Sequence, residues 1–136
     1  DGMNIRVGDA KYTLPITSIQ ETFQAKERDI VRDPDDREMI MVRGQCYPIL
    51  RLHKLYGVNT DITDLAKGIM LMVEQDGKSL CLFADELLGQ QQVVVKALPD
   101  YIKKTKKIEG LAGCTLLGDG SISLIINIGG LFSMKL

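Results

Sequence analysis

The chain has 136 residues, enough for one ordinary core or for two small barrels sharing an interface. It is 45% hydrophobic, 26% charged and 5% aromatic, lacks Trp and carries a net charge of −1. That balance predicts an aliphatic core and excludes a general attraction to nucleic acid or to an anionic membrane. No apolar run approaches the ~20 residues of a membrane span, so direct membrane insertion is not expected. The start is not basic-then-apolar, as a signal peptide would be. Asp1-Gly2-Met3 stands so close to a first strand that the chain reads as a segment of a longer protein.

In chain order, Met3–Val7 and Lys11–Ile16 read as strands around a turn at Gly8-Asp9, and Ile19–Phe23 as a third. The charged stretch Glu27–Arg37, with Asp33-Pro34-Asp35-Asp36, reads as a loop. Glu38–Arg43 and Gln45–Leu50 pair around Gly44, and Arg51–Tyr56 forms a helical turn stopped by Gly57. Val58–Lys67 is a polar connection. Ile69–Gln75 and Lys78–Phe83 form a hairpin around Asp76-Gly77. Asp85–Leu88 is expected to turn briefly, and Gln90–Leu98, with Val93-Val94-Val95, to run on as a strand. Pro99–Lys107 holds a short helix or loop, and Ile128–Met134 another short helix.

The segment 108–128 is the clearest sheet signal. Asp119-Gly120 predicts a type I′ turn, in which both central residues take positive φ. Beyond it Ile122, Leu124, Ile126 and Ile128 alternate with Ser121, Ser123, Ile125 and Asn127, which predicts one fully apolar face. Gly110 and Gly113 predict a bend or bulge in the first arm, as in a small closed barrel.

A repeat runs through the chain. Arg43–Leu52 aligns without a gap to Asp119–Ile128, each followed by a matching leucine, Leu55 and Leu131. Gly8–Ile16 resembles Asp76–Phe83 at a slightly different offset. The fold class is therefore all-β: two small five-stranded SH3-like barrels, related as a pseudo-two-fold repeat, with a few short helices. The expected organisation is a single domain, 1–136, with pseudo-repeat subdomains at roughly 1–57 and 68–136 that exchange strands.

Chemistry-bearing patterns are sparse. Cys46, Cys81 and Cys114 are odd in number and lack metal or redox spacing, which predicts three buried free thiols. The one histidine, His53, has no acidic neighbour in its turn and reads as a surface or packing residue. Gly110–Gly120 lacks the Lys-Ser/Thr ending of a phosphate loop, and Asp33, Asp35 and Asp36 lack the spacing of a calcium loop. No cofactor and no enzyme activity are expected. Lys103, Lys104, Lys106 and Lys107 stand beside Tyr101 alone, which suits a solvated connection better than a nucleic-acid groove.

Several stretches resemble one family. They are Asp1-Gly2-Met3, Arg6-Val7-Gly8, Tyr12–Pro15, Ser18–Glu21, Val42-Arg43-Gly44 with Pro48–Leu52, Gly89–Lys96 and Gly110–Gly120. The family is the CheW-like regulatory domain at the C-terminus of the bacterial chemotaxis histidine kinase CheA. Cys114 departs from its usual small residue and Asn127 from a common acid. The resemblance implies a non-catalytic, cytoplasmic module at receptor arrays. Its implied partners are the adaptor CheW, the cytoplasmic tip of chemoreceptors and the upstream kinase domains of the same chain. It carries receptor contact onto Ile19 and Glu21 and adaptor docking onto Arg43, with Leu87 and Leu88 as repeat-related candidates. The alternatives are a free-standing CheW-type adaptor and a small-molecule- or nucleic-acid-binding SH3-like barrel.

Overall fold

The computed structural model describes residues 1–105 and 110–134. Its strands are β1 (Gly2–Val7), β2 (Ala10–Pro15), β3 (Ile19–Phe23), β4 (Ile30–Arg32), β5 (Glu38–Val42), β6 (Gln45–Arg51), β7 (Ile69–Gln75), β8 (Lys78–Ala84), β9 (Glu86–Gln91), β10 (Leu111–Leu116) and β11 (Ile122–Ile126). The short helices are α1 (Leu52–Tyr56), α2 (Asp100–Thr105) and α3 (Ile128–Phe132). Gly57 stops α1 in the left-handed region at φ 66°. The Asn127 side chain caps α3 by accepting from the Gly130 N–H, so no acid is needed there.

One sheet has the order β10-β11-β2-β1-β9, the other β3-β7-β8-β6-β5-β4. One is built around a hairpin from the far end of the chain, β1–β2 among β9–β11; the other centres the hairpin β7–β8 among β3–β6, all within residues 19–84. Each hairpin is joined to its neighbour by a parallel pairing, Ile125 beside Thr13 in one sheet and Ile49 beside Cys81 in the other. These are the all-β SH3-like barrels, but one sheet has a sixth strand. That strand is β4, formed where Glu27–Arg37 reads as loop, because Ile30, Val31 and Arg32 pair with Ile40, Met39 and Glu38 before the Asp33 turn begins. In the other barrel the matching edge is reduced to one bridge, with Lys96 and Cys114 exchanging two backbone hydrogen bonds of 2.8 Å.

The hairpin strands are buried on both faces, which explains apolar runs such as Ile69–Val73. One face of each builds a core shared by the barrels: Ile5, Val7, Tyr12 and Leu14 meet Leu71, Val73, Leu80 and Leu82, with Leu52, Tyr56, Ile126 and Leu131. The Tyr12 and Tyr56 rings stack there at 4.9 Å. The opposite faces fill the barrels separately. The β7–β8 barrel is filled by Met70, Met72, Cys81 and Phe83 with Ile40 and Leu65. The β1–β2 barrel buries Asn4, Thr13 and Ser123 instead.

Five further expectations change. Glu86–Leu88, expected within a turn, opens strand β9 because it pairs along β1; Val93–Val95, expected as strand, is irregular, with Val94 and Val95 exposed. At Asp119-Gly120 only Gly120 has positive φ, 85°. Gly120 N–H donates to the Leu117 carbonyl and Leu117 N–H to that of Ser121, the pattern of a type I turn with a glycine bulge. The two-residue turns with both residues at positive φ are Arg43-Gly44 and Asp76-Gly77. In β11 the alternation fails: Ile122 is exposed and Ser123 buried, since Ser123 joins the polar interior. Cys81 and Cys114 are buried, but Cys46 is exposed on the outer face of β6.

Candidate docking surfaces

The bulges place the candidate residues. On β3 the register slips between Ile19, opposite Val73, and Glu21, opposite Met72. On β9 it slips between Leu87, opposite Ile5, and Gly89, opposite Asn4. Gln20 and Leu88 are therefore the extra residues of equivalent bulges on equivalent edge strands. Ile19 and Leu87, just before the bulges, are half-buried against the shared core. Leu88 is thrown outward and is 42% exposed.

Glu21 and Arg43, assigned by resemblance to two different partners, lie against each other. The Arg43 guanidinium donates twice to the Glu21 carboxylate, Nη2 to Oε2 at 2.5 Å and Nη1 to Oε1 at 3.3 Å. This forked geometry is the strong form of such a pair, and the Glu21 hydrogen bond raises the Arg43 pKa. Arg43 reaches it from a turn position at φ 50°, unusual for a residue with a side chain. The pair spans the seam between β3 and β5, beside a cavity of about 280 Å³ that Phe23, Ala25 and Met41 also line. At the matching positions of the other barrel stand Gly89 and Asp119, and Asp119 is taken by Lys11 at 2.8 Å. That hydrogen bond, with those of Ser121, holds the Asp119 carboxyl well below its usual range.

Sequence reading missed three groups. Thr13 donates to Asn4 Oδ1 at 2.7 Å and lies 2.6 Å from the Ser123 hydroxyl, all three buried. Asp85, buried at the junction of β8 and β9, accepts through Oδ2 from Gly8 N–H, the Thr60 hydroxyl and Arg6. Arg6 also donates to Glu86 at 2.7 Å, and that bond raises its pKa. Finally, Leu116 and Ile122 pair across β10–β11 as exposed apolar side chains, 55% and 41%. The signals were faint: one acid after an apolar run at Ala84-Asp85, and lone polar residues within strands.

His53 is half-buried with its ring edge-on to Phe83, and burial lowers its pKa. Asp33 Oδ1 accepts from the Asp35 and Arg37 N–H groups, as a turn-forming aspartate does. The side chains of the basic run Lys103, Lys104, Lys106 and Lys107 lie outside the described residues. Among the described residues no cluster of His, Cys, Asp or Glu is arranged to hold a metal ion, and no helix is long and apolar enough to cross a membrane.

Two barrels built around exchanged hairpins, with surface rather than catalytic chemistry, define a β-barrel interaction module. Comparison with known proteins makes this specific: the family model described as "CheW-like domain" matches residues 1–136, and the chain belongs to that family. It is 34% identical to the chemotaxis protein CheA of Salmonella typhimurium over 131 residues, 96% of this chain and 19% of that one. It is 37% identical to the CheA of Treponema pallidum over 138 residues, 99% of this chain and 16% of that one. The chain thus spans about a fifth or less of the curated relatives it matches. The solved structure of the scaffolding protein TtCheW from Thermoanaerobacter tengcongensis superposes with a TM-score of 0.77 at 20% identity. It covers 98% of this chain and 92% of that one, which is a likeness of fold. The CheW-like domain is non-catalytic, and the chain contains none of the kinase's catalytic domains.

Proposed function

We propose that this chain is the regulatory and scaffold module of a chemotaxis histidine kinase. It docks onto a CheW-type adaptor and the cytoplasmic tip of chemoreceptors, and it couples receptor state to the upstream kinase domains of the same chain, in the cytoplasm at receptor arrays. What supports the kinase reading over a free-standing adaptor is that the chain matches CheA proteins along almost its whole length. The likeness to a scaffolding protein keeps the adaptor as the second reading. We further take 1–57 and 68–136 as the two repeated units of a single domain, a division supported by the matched strand orders.

Of the candidate residues, Glu21, Arg43 and Leu88 offer surface, whereas Ile19 and Leu87 give much of theirs to the core. The test is therefore a charge exchange, Glu21→Arg with Arg43→Glu. The pair can re-form within the chain, so thermal unfolding should stay at the wild-type midpoint, while pull-down of the adaptor or a receptor-tip fragment should weaken. Leu88→Asp should weaken adaptor binding by about 1–3 kcal/mol, the range of a contributing contact. Wild-type binding by both variants would reject these surfaces.

A further inference from the structure

The dipeptide Asp-Gly occurs at Asp1-Gly2, Asp76-Gly77 and Asp119-Gly120. In it the glycine nitrogen can attack the aspartyl side-chain carbon, because no Cβ blocks its approach. The fold closes the first and last of these places. Gly2 is buried in β1 between Pro15 and Gln91, and a Cβ there would lie 2.5 Å from Thr13 and Val93. At Asp119-Gly120 both reacting groups are engaged. The carboxylate accepts from Lys11 Nζ at 2.8 Å and from the Ser121 N–H at 2.9 Å, and Gly120 N–H donates to the Leu117 carbonyl. Lys11 and Ser121 hold the Asp119 carboxyl well below its usual range, so the neutral acid, whose hydroxyl can leave as water, is scarce. Asp76-Gly77 is open. It is the tip of the β7–β8 hairpin, and Gln75, Asp76, Gly77 and Lys78 are all exposed. Among the described residues no hydrogen bond or ion pair engages the Asp76 carboxylate or the Gly77 N–H.

We propose that Asp76 converts spontaneously to isoaspartate in the folded chain, which makes the β7–β8 turn a modification site and a substrate for an isoaspartate carboxyl methyltransferase. The Gly77 nitrogen bonds to Asp76 Cγ, the Cγ–OH bond breaks, and the hydroxyl leaves with the amide proton as water. The cyclic imide then takes up water at either carbonyl. Opening at the Asp76 main-chain carbonyl leaves the chain running through Cβ and Cγ, with a free carboxylate on Cα. That carboxylate is the group the enzyme would methylate from S-adenosylmethionine. The product lengthens the backbone between Gln75 and Lys78, which face each other across the turn, so they lose the register of a two-residue hairpin. Gln75 lies against α3, where a Cβ at Gly129 would meet its Nε2 at 2.8 Å, so the change reaches the shared core from the hairpin tip.

The experiment ages the chain at neutral pH in heavy-oxygen water, once folded and once in urea, and maps isoaspartate by electron-transfer mass spectrometry of its peptides. In urea Asp76 and Asp119 should react alike. In the folded chain Asp76 should react at least about tenfold faster than Asp119, because each hydrogen bond that must break at Asp119 slows ring closure severalfold. The Asp76 peptide should carry heavy oxygen, and with a purified isoaspartate methyltransferase it should take labelled methyl from S-adenosylmethionine. Asp76→Glu should remove both signals, since its longer side chain would have to close a larger ring. Lys11→Ala frees the Asp119 carboxylate and should raise isoaspartate there while leaving Asp76 unchanged. Reaction of Asp76 in urea but not in the folded chain would overturn the proposal, because the turn would then hold the nitrogen out of reach. So would equal rates at Asp76 and Asp119 in the folded chain. No adaptor or receptor enters these measurements, so the docking reading stands or falls separately.

Discussion

The two barrels share a strand order but not an interior. Asn4 opposite Thr13 in the β1–β2 hairpin matches Met72 opposite Cys81 in the β7–β8 hairpin. The first pair is hydrogen-bonded with Ser123, and the second packs with Met70 and Phe83. The seams differ too. One is spanned by Glu21–Arg43 and carries the extra strand β4; the other is held by the Lys96–Cys114 bridge and exposes Leu116 and Ile122 nearby. The backbone pattern survives these changes because the face toward the shared core stays apolar in both hairpins. Interior and seam, which each barrel owns alone, are free to diverge: Glu21–Arg43 spans one seam, while in the other barrel Asp119 pairs with Lys11 instead.

That contrast can be broken most forcefully from the apolar side. Phe83→Ala removes the largest fully buried side chain of its barrel and should cost about 3–5 kcal/mol in urea unfolding. If packing is all that fills an interior, Thr13→Val should be harmless, since it conserves shape. The hydrogen-bonded triad predicts instead a loss of about 1–3 kcal/mol, because Asn4 and Ser123 are left without their partner. A loss under 0.5 kcal/mol would reduce the contrast to composition. The mildest probe is thiol modification. Cys46 should react fast in the native chain, and Cys81 and Cys114 slowly. Burial pushes the Cys81 thiol up to about 12, so raising the pH from 7 to 9 should leave Cys81 slow. Equal rates for all three would mean that both barrel interiors open readily.

Much of the fold was legible in the sequence because its signals are local. The Asp76-Gly77 and Arg43–Gln45 turns, the stop at Gly57 and the aligned stretches Arg43–Leu52 and Asp119–Ile128 depend on neighbours in the chain. What misled were residues whose fate is set from afar. The β-branched run Val93–Val95 has strand propensity, yet it meets β10 only at Lys96, where Gly113 lets the backbones approach. Ser123 broke the alternation because Thr13, 110 residues away in sequence, waits across the sheet. Of the candidate sites, resemblance supplied Glu21 and Arg43 one by one. Their mutual ion pair, and the Asp85 cluster, need three dimensions to appear.

The exchanged hairpins also bear on how the molecule is made. β1 and β2 leave the ribosome before the other described strands, yet their sheet neighbours β9, β10 and β11 lie some 70 to 120 residues later in the chain. At about 5–20 residues per second of synthesis, that hairpin waits several seconds with both faces unsatisfied. The β3–β8 barrel is contiguous in sequence and can close first, whereas the β1–β2 barrel, with Ile5, Val7 and Leu14, must wait for the C-terminal strands.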